Sequence, residues 1–214
     1  MNDVMISSLK SYWERLRAGR IAPYRAEIDP RQFEGALENM FIIERIAPEN
    51  LRIRLAGMKI CEMMGMEVRG MEAGSLIDDA DRPRFAELLG VVMGKPAVAE
   101  LQLEAGSRLG GYRASMLLMP LRSDVGDINR VLGCTSGDGD RFTAPLAFSI
   151  RDVPITPIEP SSSSEAHHLA PGFTDELPGF EPVDAPRLVA IEGNPDAPAR
   201  PREGAPKLRV VDSN

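Results

Sequence analysis

The chain has 214 residues, of which 43% are hydrophobic, enough to bury a core. Its net charge is −7, from 25 lysines and arginines against 32 carboxylates, with no basic footprint for nucleic acid. There is no run of about 18 apolar residues and no apolar leader, and Cys61 and Cys134 fit no zinc spacing. The expectation is a soluble, cytoplasmic protein without membrane insertion, its two cysteines small core residues of a reducing compartment.

Apolar residues are unevenly spread. From Pro154 onward lie eleven of the eighteen prolines, four consecutive serines (Ser161 to Ser164) and two aromatics, Phe173 and Phe180. Such a segment buries too little apolar surface to offset chain entropy, so residues 151–214 read as a disordered tail. Counted from Pro154, it holds ten acids and five bases.

In chain order, residues 6–20 (ISSLKSYWERLRAGR) come first. Ile6, Leu9, Trp13 and Leu16 fall at spacings of three and four, which predicts an amphipathic helix with Gly19 as its stop. Arg15, Arg17, Arg20 and Arg25 sit among acids and read as a solvated face. The helix must bury Trp13 against its own domain or against a second copy. The second case makes Ile6, Leu9, Trp13 and Leu16 a candidate dimer helix, with a linker to residue 28. Asp29 and Pro30 then supply an N-cap and a first helical position for DPRQFEGALENM.

FIIERIAP (41–48) and LRIRLAG (51–57) alternate as two strands about a Pro48-Glu49-Asn50 turn. In the second, Arg52 and Arg54 point to solvent. Residues 58–65 form a short helix ended by Gly65. Residues 66–80 are turn-rich, and a longer helix spans 81–95 with Asp81 as N-cap. Asp78, Asp79 and Asp81 suit the positive helix end without an ion. Strands follow at 98–106, 112–123 and 128–137. The loop GSRLGG (106–111) opens no helix and is no phosphate cradle. Asp138-Gly139-Asp140 lacks the closing glutamate of a calcium loop, where Ser149 stands. The expected fold is α+β, over residues 29–150: a five-stranded antiparallel sheet with the intervening helices covering one face.

That order is similar to the PAS sensory fold. The segments LRAGRIAPYRAEIDP (16–30), FIIER (41–45), IRLAGMKICEMMGMEVRG (53–70) and MPL (119–121) resemble a bacterial subfamily of stand-alone PAS proteins, over roughly residues 10–140. The resemblance implies a signalling protein without an attached output domain. It also implies that the stretch after the second strand roofs the hollow side of the sheet. Met58, Met63, Met64 and Met66 would then face Leu55, Leu103, Leu118 and Leu132, lining a ligand pocket or closing a filled core. Both histidines, His167 and His168, lie in the tail, which argues against a histidine-ligated haem. Nothing around Cys61 resembles the motif that binds flavin covalently. The ligand is therefore unknown, and a small apolar molecule held without a covalent bond fits best.

No metal cluster, nucleophile elbow, Walker loop or kinase segment is visible, so an enzyme is the least supported class. In the tail, PRLVAIEGN (186–194) and PKLRVVDSN (206–214) are similar at a spacing of twenty. They suit short motifs that add as strands to a sheet edge. Two functional readings follow. One is a homodimeric regulator acting on an unidentified signalling protein. The other is a ligand-free adaptor whose tail recruits partners.

Overall fold

The computed structural model describes residues 4–107, 110–138 and 142–160. The chain divides into two units, Met1–Ala170 and Pro171–Asn214, and every described residue lies in the first. The two tail motifs, His167 and His168, and residues 161–214 of the tail expected to be disordered from 151 lie outside the described residues.

Helix α1 spans Val4–Arg17. It ends just before the predicted stop, where Ala18 and Gly19 take left-handed backbone at φ 47 and 80. The arginines read as a solvated face include two that cap this end. Arg17 donates to the Arg20 carbonyl at 2.8 Å, and Arg20 donates to the Leu16 and Arg17 carbonyls at 2.8 and 3.0 Å. Cations at the negative end of a helix satisfy its orphan carbonyls. The segment Pro30–Asn39 follows as 3-10 turns, with the Asp29 side chain accepting from the Arg31 amide at 3.1 Å. It kinks at Phe33 (φ −148), whose buried ring lies 5.0 Å from that of Tyr12.

The strands are β1 (Met40–Ala47), β2 (Asn50–Ala56), β3 (Ala97–Ser107), β4 (Gly110–Arg122), β5 (Ile128–Gly137), β6 (Phe148–Asp152) and β7 (Ile155–Pro157). Between β2 and β3 lie α2 (Met58–Met64), a 3-10 turn at Ala73–Leu76 and α3 (Arg82–Gly94). The order across the sheet is β2-β1-β5-β4-β3-β6, β7 also pairs with β3, and every strand pair is antiparallel. Seven strands stand where five were expected. The two missed are short and flanked by Pro154 and Pro157, so they read as tail; the domain runs past its expected boundary at 150.

Two apolar layers hold the sheet. On one face, α2 and α3 pack over Phe41, Ile43, Ile53, Leu101, Leu103, Leu118 and Val131. On the other, α1 and the Pro30–Asn39 turns cover Ile42, Leu117, Met119, Leu121 and Leu132. Helical structure thus covers both faces rather than one, and the domain includes α1 rather than beginning at residue 29.

The connection between β2 and α3 also shields the sheet edges. Ile53 donates to the Met71 carbonyl at 3.0 Å, and Gly70 donates to the Ile53 carbonyl at 2.7 Å, along β2. At β6, Asp78 donates to the Phe148 carbonyl at 2.9 Å. Such cover blunts pairing with other chains. Asp81 precedes α3 as expected, yet its carboxylate makes no cap bond to that helix. It accepts instead from the Ile150 amide at 2.8 Å, tying the helix start to β6.

Candidate functional site

Helix α2 has seven residues and rises from Gly57 to Gly65, whose φ of 70 ends it. Ile60, Met63 and Met64 fall at i, i+3 and i+4, one face of a helix. That face closes on the sheet, with Ile60 and Met63 each 2% exposed. With Leu76, Met116, Thr135 and Phe148 it bounds a hollow of about 10 Å³. One water needs about 10–15 Å³, and a ligand pocket about 300 Å³ or more. Thr135 is 2% exposed, and its hydroxyl oxygen has no hydrogen-bond partner among the described residues. The Leu146 amide donates to the Met63 carbonyl at 2.8 Å and tethers the end of α2.

Four of the eight residues expected around this hollow, Met63, Met64, Leu103 and Leu118, lie in the helix-covered core. The other four do not. Met58 and Met66 are 62% and 55% exposed, because the buried stripe of α2 begins at Ile60 and ends at Met64. Leu55 is 39% exposed. The β1–β2 register shifts between Ile42 and Ile43, which pair with Leu55 and Ile53, leaving Arg54 as the extra residue. A bulge resets the alternation, so Leu55 faces outward beside Ile42. Leu132 is buried on the opposite face, since it pairs with Ile42.

The candidate dimer helix is also placed. Ile6, Leu9 and Trp13 are buried against the chain's own sheet, and Leu16 packs beside them. The Trp13 indole donates to the Pro120 carbonyl at 3.1 Å. All four residues pack within the chain, Leu16 only half-buried. Of the two cysteines, Cys134 is buried and Cys61 half-buried.

A second concavity lies on the outer face, at the bulge. Arg25, Ile42, Glu44, Arg54, Leu55 and Arg130 line an open cleft of about 460 Å³. Glu44, 14% exposed, holds two guanidiniums: Arg130 at 3.0 Å on one oxygen and Arg54 on the other. Burial alone would raise the Glu44 carboxyl; the hydrogen bonds and charges of Arg54 and Arg130 outweigh it and hold the carboxyl below its ordinary range. Arg25 has no ion-pair partner among the described residues. Sequence reasoning missed this cleft, because its residues come from three strands and a turn and meet only through the pairing of β1 with β2 and β5. It also missed Thr135, which the two-residue period places on the face of Val131.

The PAS domain family model matches residues 1–136. The chain belongs to the PAS domain family. Solved structures that this PAS domain matches include "The light state structure of the blue-light photoreceptor Aureochrome1 LOV", at 18% identity and a TM-score of 0.38, over 50% of this chain and 86% of that one. Another is "Structure of an RNA-binding Light-Oxygen-Voltage Receptor", at 16% identity and a TM-score of 0.39, over 52% of this chain and 33% of that one. No curated protein matches the chain. PAS membership supports a sensory or regulatory role. Among the described residues no helix is long and apolar enough to cross a membrane.

Proposed function

We propose that this PAS domain is a cytoplasmic regulatory protein, not an enzyme, that works by contact with a protein partner while its core is closed to ligands in the ground state. The observation that carries this reading is the hollow of about 10 Å³ beneath α2, which leaves room for a water and nothing larger. Two cysteines far apart in sequence, one of them buried, suit a reducing cytoplasm.

A second reading has its own support. Among the described residues the Thr135 hydroxyl lacks a partner, in a wall of Met63, Met64 and Met116. Flexible methionines re-pack at little cost. A small, mostly apolar molecule with one polar atom could therefore enter if α2 moved outward, carrying Met58 and Lys59 with it. That makes the protein a sensor whose partner reads the position of α2.

Native mass spectrometry of the freshly purified chain separates the two. The closed-core reading predicts the bare mass of the polypeptide. A retained small molecule, lost on Thr135→Val, would overturn it and establish the sensor.

A further inference from the structure

The outer cleft at the β1–β2 bulge has no part in the closed core. We propose that it docks an acidic peptide segment of a partner protein, one that sets carboxylates beside a single apolar side chain. The inference rests on the reading of the chain as a regulator acting through protein contact.

Charge is the first argument. Three arginines face the cleft and one carboxylate answers them, which leaves two positive charges in a chain whose net charge is −7. The second is the way Glu44 uses its neighbours. It takes the Nε and one terminal nitrogen of Arg130, and the Nε of Arg54. Among the described residues the remaining terminal nitrogens of both guanidiniums have no partner, and the plane of Arg130 is held by its two bonds to Glu44. Arg25 adds a whole fork with no ion-pair partner among the described residues. A guanidinium recognises a carboxylate through two parallel hydrogen bonds, and prior alignment lowers the ordering cost of binding.

The floor of the cleft is apolar. Ile42 and Leu55 lie between the arginines, and Leu55 is 39% exposed although it is a strand residue. A free inorganic anion would satisfy the guanidiniums and leave that apolar surface wet. A peptide supplies both chemistries at the spacing of neighbouring side chains. The exposure of Arg54, 57%, leaves the cleft open enough for a chain to cross it.

The test is fluorescence anisotropy of the full chain with labelled peptide EDLED, its amide form QNLQN, its serine form EDSED, and inorganic phosphate as competitor. EDLED should bind and weaken as salt is raised, while QNLQN and EDSED bind more weakly, QNLQN by about tenfold or more. Arg25→Gln and Arg54→Gln should each weaken EDLED by about tenfold, with the parent's melting curve in Arg25→Gln and the parent's far-UV circular dichroism in both. Arg113→Gln, at the β3–β4 hairpin, should change nothing.

Equal binding of EDLED and QNLQN, or full affinity in Arg25→Gln and Arg54→Gln, would overturn the proposal. So would EDSED binding as well as EDLED with phosphate displacing both, since that describes a site for small anions. A ligand retained in the core would sink the closed-core reading and leave these anisotropies unchanged, so the two failures are distinguishable.

Discussion

Gly133 shows how single residues shape the closed core. It faces α2 from β5, and the Phe41 ring lies over it: a Cβ there would come within 2.1 Å of that ring. Phe41 is fully buried and its strand is paired on both sides, so neither partner yields easily. Gly133→Ala should lower stability by about 1–3 kcal/mol in urea unfolding. Adding Phe41→Leu should recover part of that loss in a double-mutant cycle, whereas strict additivity would mean the two do not meet. Glu44 makes a pH-dependent contribution of a definite sign. Its carboxyl is depressed in the fold, so its stabilisation is complete above the unfolded value of about 4.3 and is lost as pH falls through the lower folded value. The advantage of the parent over Glu44→Gln should hold from neutral pH to about 5 and be lost as pH falls further through the depressed folded value. An advantage that grows on acidification would contradict the two-arginine account. At this scale sequence legibility has a clear limit. Ile53 inward and Arg54 outward follow from alternation, yet Leu55 does not, because one extra residue in a strand leaves no mark on composition.

At the scale of elements, periodicity is the readable part and the partner face is not. The stripe Ile6, Leu9, Trp13 is evident in the sequence, but equally suited to a second copy or to the chain's own sheet. What decides it is the outer face of β4, where Leu117, Met119 and Leu121 alternate with the inward Met116 and Leu118. YRASMLLMPLRS looked simply apolar because both of its faces are buried. Lys10 on α1 adds an ion pair to Glu100 of β3 at 2.5 Å. Trp13→Ala should therefore cost about 3–5 kcal/mol, with a melting midpoint independent of protein concentration. A midpoint that falls on dilution would show that the helix is buried between copies. The short strands β6 and β7 illustrate the opposite case. Phe148 and Ile150 are buried, yet five residues followed by two prolines within four positions gave no strand signal beyond the expected boundary.

The described residues form one sheet between two helical layers, with its edges shielded by the connection that also carries α2. Strand order was legible because turn residues and two-residue periods punctuate it. The PAS resemblance then placed the methionine segment over the hollow side. The depth of that hollow was not legible, because methionines at positions 58, 63, 64 and 66 look alike in sequence and only the short span of α2 sorts them. Two of them face water, one is buried, and one is half-buried. The account of a closed core stands on that sorting. It is read most directly from the methyl resonances of ¹³C-labelled methionine in the presence of a soluble paramagnetic agent. The Met58 and Met66 signals should bleach, the Met63 and Met116 signals should persist, and Met64 should fall between. Bleaching of Met63 alongside Met58 would place water, or room for a ligand, where the packed core is claimed.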